Sequence, residues 1–378
     1  MKTKLYNVYH PWNLFFKKAL GTELLDTNGK TYLDLYGGHG VISIGHNHPI
    51  WKNALKSQLD QISYYSNAVK ILEQEEIAAL FEQISGLSNY QLFLCNSGAE
   101  ANENAMKVAS FHTGRNKILS FEKAFHGRTA GAISVTDNPA IVAPFGEELN
   151  QKKVAFEDVE TLVNELSSKE YAAVIIEGIQ GVAGVFEAST DFWKIVRDTC
   201  DATGTLLIAD EIQSGCGRTG KFFAFQQHDI RPDVVTMAKG IGNGFPVAAV
   251  LIDEKIEAKK GQLGTTFGGG YLACAAVKSV LEVIESEKLM EQASQLGTWI
   301  TEKLKAFPEV EEIRGRGLMI GIKTSIKAVE LQQSLLSKGI VAGTSTCPFT
   351  LRILPPLNIS KAKLESFLTV LSSEIQSK

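Results

Sequence analysis

The sequence predicts an α/β fold: a large domain around a mainly parallel sheet, and a smaller α+β domain after it. Two patterns carry that reading. Short apolar runs ("QLFLC", "AAVIIE", "TLLIAD", "DVVTMAK", "VAAVLID") alternate with helical segments, as in a sheet covered on both faces. Four of those runs end at a polar residue: Asn96, Glu177, Asp210 and Lys239. In open parallel sheets ligands sit beyond the carboxyl ends of the strands, so these four are expected along one edge.

The elements follow in order. Residues 1–50 read as an N-terminal segment that packs with the smaller domain. Within it "ELLDTNGKTYLDLYGG" is a hairpin with Asn28-Gly29 at its turn. Residues 51–262 form the large domain. Ile77, Leu80, Phe81 and Ile84 recur at helical spacing, "EANENAMKVASFH" is helical, and "DFWKIVRDTCDATG" is a helix stopped by Gly204. Residues 263–378 form the smaller domain. Leu289, Ala293, Leu296, Ile300 and Leu304 make a helical stripe there. "EEIRGRGLMIGIKTS" reads as two strands or one bent strand, "AVELQQSLLSKG" as a helix ended by Gly339, and "TLRILPPLNI" as a strand.

Composition narrows the function classes. A net charge of −4 over 378 residues recommends neither nucleic acid nor an anionic membrane as partner. No apolar run approaches the ~20 residues of a membrane span, and the first twenty residues lack the apolar core of a secretory leader. Five cysteines without CxxC spacing suggest neither a disulfide framework nor a metal site, so a reducing cytoplasm is expected.

Several residues carry chemistry in one reading and plain structure in another. Lys239 is either a strand-end lysine snorkelling to water or a desolvated amine, nucleophilic towards carbonyls. The glycines after it (Gly240, Gly242, Gly244) are expected to leave room for a bound ring. Asp210, with Gln213 three residues on, is either a helix-start acid or a buried carboxylate waiting for a fixed cation. Ser97 and Glu100 fit a capping box, yet a helix start with Ser97, Gly98 and Ala99 is also an anion site. Phe125 is core packing or a face for a flat ring, and Arg128 is a surface charge or a carboxylate clamp. Two look-alikes are set aside. "GCGRTG" matches a dinucleotide fingerprint but sits five residues beyond its strand, and "GHNHP" is too sparse for a metal site. Together, a lysine for an aldehyde, an acid for a ring nitrogen, a helix start for a phosphate and an aromatic for a ring face are what pyridoxal phosphate needs.

From "NGKTYLDLYGG" to "LRILPPL" the chain resembles the class III (ω-amino acid) aminotransferases of the fold type I pyridoxal phosphate enzymes. It is most similar to their acetylornithine branch. The stretches "LLIADEIQSGCGRTGKFFAFQ" and "PDVVTMAKGIGNGFPVAAV" carry that resemblance most specifically. The resemblance implies that Lys239 holds the aldehyde of pyridoxal 5′-phosphate, Asp210 pairs with the pyridinium and Gln213 bonds the ring hydroxyl. It implies phosphate binding by Ser97, Gly98 and Ala99, stacking by Phe125, and Thr266 reaching the phosphate of the neighbouring subunit in a homodimer. Arg352 would take the α-carboxylate of glutamate or 2-oxoglutarate, and Arg128 a more distant carboxylate. The implied reaction passes the δ-amine of an N-acylornithine to 2-oxoglutarate. Other ω-amine aminotransferases, acting on ornithine or 4-aminobutyrate, and a non-catalytic binding subunit are the alternatives.

The chain also departs from the family pattern. After the strand ending at Glu177 the family usually reads E-P-I-Q-G-E. Here Gly178 replaces the proline and Val182 the second glutamate, which in relatives that handle ornithine masks the arginine equivalent to Arg352. His39 stands at the expected pocket mouth, where relatives vary with substrate. The lost glutamate and the added histidine suggest a pocket retuned to an acidic acyl group, such as N-succinylornithine.

Overall fold

The computed structural model describes residues 4–149 and 151–376. An antiparallel ribbon opens it: β1 (Phe16–Leu20), β2 (Glu23–Asp26) and β3 (Thr31–Asp34). The expected hairpin is β2–β3. Asp26 Oδ1 accepts the backbone N–H of Asn28 and of Lys30, both at 2.8 Å, and Gly29 takes a φ of 88° that suits glycine.

The central sheet has seven strands: β4 (Tyr90–Cys95), β5 (Lys117–Phe121), β6 (Lys152–Val154), β7 (Tyr171–Glu177), β8 (Leu206–Asp210), β9 (Val234–Met237) and β10 (Ala248–Asp253). Their order is β4-β10-β9-β8-β7-β5-β6. β9, β8, β7, β5 and β6 pair in parallel, while β10 runs antiparallel to both β9 and β4. β7, β8 and β9 are buried along their whole length, which is why they read as unbroken apolar runs. The crossover helix Thr190–Thr203 shows how local chemistry supports this layer. The Ser189 hydroxyl accepts from Phe192 N, Gly204 ends the helix at φ 63°, and Phe192, Trp193, Val196 and Cys200 are buried between. Truncating Trp193, fully enclosed, would cost about 3–5 kcal/mol.

The C-terminal part adds β11 (Val310–Arg316), β12 (Met319–Thr324) and β14 (Thr350–Ile353) as an antiparallel sheet. The bend in "EEIRGRGLMIGIKTS" is therefore a hairpin between two strands. β13 (Ile340–Val341) leaves that sheet and pairs in parallel with β3, so the ends of the chain share a sheet ordered β1-β2-β3-β13. Four strands have no counterpart in the sequence reading: β1, β5, β6 and β13. β1 and β6 carry lysines on exposed positions, β13 has two residues, and β5 has only two apolar positions before its serine. Among the described residues, no helix is long and apolar enough to cross a membrane.

Candidate active site

Register brings the strand ends together. Glu177 pairs with Asp210, Asp210 with Thr236, and the start of β10 lies between Cys95 and Met237. The polar residues at those ends share one sheet edge, as the alternation predicts. Glu177, Asp210 and Lys239 border a cavity of about 200 Å³, lined also by Gly98, Ala99, Phe125, His126, Gly127, Val182, Ile212 and Gln213, whereas Asn96 turns to Glu100 and Thr265.

Lys239 opens a short 3-10 turn after β9. Its φ is 48°, a left-handed conformation uncommon outside glycine and concentrated at functional positions. The side chain is half-buried. Burial pushes its amine below the ordinary lysine value, with Arg352 adding to that, while Asp210 and Glu177 oppose it. The glycines that follow serve another purpose than the one expected. None lines the cavity. A Cβ on Gly242 would lie 2.2 Å from the Phe245 carbonyl oxygen, so the turn's own backbone requires glycine there. The loop is moored to the N-terminal segment: Ser43 Oγ donates to Gly240 O at 2.6 Å, and Asn243 Oδ1 accepts from the Ser43 and Ile44 amides.

Asp210 is buried at the end of β8. Its Oδ2 accepts from Asn102 Nδ2 and from His126 Nδ1, each at 2.7 Å, and its Oδ1 accepts from Ile212 N at 3.0 Å. Three donors converge on this carboxyl group, and Oδ1 keeps one acceptor position towards the cavity. His126 and Asn102 were not singled out from the sequence. The signal existed for Asn102. It is a polar residue on the buried stripe Ala101, Asn102, Ala105, Met106, Ala109 of the helix Gly98–Thr113.

Ser97 caps that helix, its hydroxyl accepting from Glu100 N at 3.3 Å, while Glu100 reaches back to Asn96 N. The structural reading of Ser97 thus holds, and Gly98 and Ala99 still face the cavity from the helix start. Phe125, half-buried, lines the cavity, and its backbone N–H donates to Glu177 Oε1 at 2.9 Å. Glu177 Oε2 accepts from Gly181 N at 3.1 Å. Burial lifts the Glu177 carboxyl to about 7, with His126 opposing the rise and Asp210 adding to it.

Arg352 enters from β14, buried. It donates through Nε to Thr344 O at 2.6 Å, and through Nη1 to Gly181 O at 2.8 Å and Gln213 Oε1 at 3.3 Å. No carboxylate of the described residues pairs with it. Val182, where the family's second glutamate stands, lines the cavity beside Gly181. Gln213 Nε2 donates to His39 O at 3.2 Å, which ties the amide to the mouth. His39 is exposed there, hydrogen-bonded through Nδ1 to the Tyr36 hydroxyl. Desolvation, Arg352, Lys239 and Arg128 together hold its imidazole below the ordinary value. Arg128 is exposed on the same side. Thr266 lies outside the cavity on the exposed stretch before Phe267, its carbonyl oxygen accepting from the Tyr64 hydroxyl at 2.9 Å.

The set-aside motifs are structural. Arg218 of "GCGRTG" is buried and donates to the Leu318 and Pro355 carbonyls. His46 bonds Asp34 and His48 bonds Glu287.

The family model for aminotransferase class-III matches residues 6–375. The chain is a class III aminotransferase. It is 36% identical to the acetylornithine aminotransferase of Bacillus cereus, over all of this chain and 99% of that one. It is 39% identical to that of Streptococcus mutans, over 98% of each. Among solved structures, the ornithine aminotransferase of Toxoplasma gondii matches with a TM-score of 0.92 at 28% identity, covering 98% of this chain and 92% of that one. The acetylornithine aminotransferase of Elizabethkingia anophelis matches at 0.86 with 30% identity, covering 100% and 97%. As a class III aminotransferase it depends on pyridoxal 5′-phosphate. The residues present fit that group: a desolvated amine, a buried carboxylate with a spare acceptor and a helix start border one cavity.

Proposed function

We propose that this aminotransferase moves the δ-amino group of an N-acylornithine to 2-oxoglutarate, giving N-acylglutamate 5-semialdehyde and glutamate in arginine biosynthesis. The observation that carries the reading is Arg352. It is a buried guanidinium beside the cofactor cavity whose hydrogen bonds go to neutral acceptors, with Glu177 acting on it only through space. A buried cation with no carboxylate in direct contact is costly, so a substrate carboxylate is its natural partner. The relatives named acetylornithine aminotransferase support the donor.

Pyridoxal phosphate, when bound, supplies the electron sink that loosens the C–H bond beside the amine. In this reading Lys239 Nζ holds the aldehyde and, once released, carries the proton, since its lowered basicity suits a general base. Asp210 pairs with the ring nitrogen and Gln213 faces the ring hydroxyl. Phe125 covers a ring face, and Ser97, Gly98 and Ala99 hold the phosphate. Arg352 takes the carboxylate next to the reacting carbon of glutamate, Arg128 the distant one, and Glu177 and His39 shape the entrance. Arg128 and Arg352 make that entrance cationic, while their charge and desolvation disfavour the protonated form of His39, so free ornithine, with an α-ammonium, fits it worse than an acylated donor. The same charges and Val182 favour an acyl group that carries its own carboxylate, as in N-succinylornithine.

We further propose a cytoplasmic homodimer with shared sites. Thr266 stands exposed beside Phe267 (65% exposed) and Tyr64 (40% exposed), a surface suited to a second copy whose phosphate Thr266 would reach. We also propose that the chain divides into an N-terminal segment (1–50), a large cofactor-binding domain (51–262) and a smaller C-terminal domain (263–378). An amino-donor screen with 2-oxoglutarate, reading glutamate, tests the assignment. Acylated ornithines should exceed ornithine and 4-aminobutyrate in kcat/KM, and a free-ornithine preference would overturn it. A clear preference for the acetyl over the succinyl donor would remove the acidic-acyl refinement alone.

A further inference from the structure

One buried amide joins four elements around the cofactor cavity: the helix Gly98–Thr113, β8, β9 and the segment of His126. Asn102 sits on the helix Gly98–Thr113, fully enclosed. Its Nδ2 donates to Asp210 Oδ2 at 2.7 Å and to His126 O at 2.8 Å, and its Oδ1 accepts from Thr236 Oγ1 at 2.7 Å. Both neighbours of Nδ2 are obligate acceptors, which fixes the amide's orientation. It follows that Thr236 must donate its hydroxyl proton. Thr236 is itself fully buried on β9, three residues before Lys239.

From this geometry we infer that Asn102, backed by Thr236, is a positioning residue for the reaction: it fills Asp210 Oδ2 and leaves Oδ1 as the acceptor offered to the cofactor. The inference rests on the proposed pairing of Asp210 with the ring nitrogen. Oδ2 already receives two donors, from Asn102 and His126, so its lone pairs are taken. Oδ1 receives one, from Ile212 N. The same amide links the helix start, the strand that carries Lys239 and the segment that carries His126. A fully satisfied buried network of this kind fixes one arrangement, and it loses more than one bond's worth of order when a member is removed. The titratable groups that face Asp210 are His126, Glu177, Glu211 and Lys239. Asn102 carries no titratable group, so it holds the carboxyl without titrating against it.

The test uses the holoenzyme with Asn102→Ala, Thr236→Val, Thr236→Ser and Asp210→Asn. The readouts are cofactor affinity after resolution and reloading, and the pH at which the bound cofactor changes colour. Kinetics with 2-oxoglutarate complete the set. Loss of a hydrogen bond to a charged group predicts that Asn102→Ala weakens cofactor binding about ten- to a hundredfold and moves the colour transition by about one pH unit. It should lower kcat while leaving the KM for 2-oxoglutarate near its original value, because the carboxylate-binding arginines are untouched. Thr236→Val should move the same readouts in the same direction by less, and Thr236→Ser should restore them. If Asp210→Asn changes affinity and colour but Asn102→Ala and Thr236→Val do not, the positioning role is wrong and the Asp210 pairing stands. If Asp210→Asn itself changes neither, the pairing fails and the inference fails with it.

Discussion

Replacing Gly178 by the proline usual in the family should destabilise this chain. The residue follows β7, and its N–H donates to the Asp210 carbonyl at 3.1 Å. A Cβ there would lie 2.5 Å from Glu211 Oε1, 2.7 Å from Ser214 Oγ and 2.9 Å from the Ala224 Cβ. Glu211 cannot swing aside freely. Its carboxylate accepts from Ser214 Oγ at 2.7 Å and from the Ala224 and Phe225 amides at 3.0 Å, all buried. Gly178→Ala therefore costs overpacking plus a strained carboxylate clamp, about 2–4 kcal/mol together. Gly178→Pro also loses the backbone bond to Asp210, for about 1 kcal/mol more. Urea unfolding at fixed protein and cofactor concentration measures both, as a lower midpoint with an unchanged slope. In a Glu211→Ala background the cost of Gly178→Ala should shrink by more than about 1 kcal/mol, the coupling expected of touching residues. Variants within about 0.5 kcal/mol of the parent, the range of ordinary surface changes, would refute the steric argument.

Two further outcomes follow from the charges of the site. Burial lifts the Glu211 carboxyl from 4.5 to about 7, so the native state binds its proton more tightly than the unfolded chain. That contribution is complete below pH 4.5 and is lost as pH rises through 7, about 3 kcal/mol in all. Glu211→Gln should flatten the fall in stability between pH 5 and 8, measured by urea midpoints, and an unchanged pH slope would contradict the assignment. Val182→Glu returns a carboxylate to the cavity wall near Arg352. It should raise the KM for 2-oxoglutarate about tenfold, the worth of one competing charge-assisted bond, and improve free ornithine relative to acylated donors. Unaltered KM values would show that Arg352 does not see that position.

Much of the site was legible because one rule places it. Strands with two buried faces read as apolar runs, and their polar ends must meet at one edge, so Glu177, Asp210 and Lys239 could be grouped before any coordinates. What surrounds them was less legible. His126 and Asn102 stand 84 and 108 residues from Asp210, and only the sheet order brings them to it. The loop glycines misled because a tight turn and an open pocket ask for the same residue; Gly242 answers to the Phe245 carbonyl. Short strands escaped for the opposite reason. β6 and β13 have too few residues to show a period, and pairing with longer neighbours alone defines them. The resemblance to class III aminotransferases supplied what neither periodicity nor spacing could: which ring the lysine and the acid are meant to face.

The most direct measurement is where the cofactor is attached. Purified protein should be yellow, borohydride should bleach it, and peptide mass spectrometry should then find the reduced pyridoxyl group on Lys239, with Asp210→Asn greatly weakening retention of the group. A modification on another lysine, or colourless protein that takes up no pyridoxal phosphate, would contradict the account.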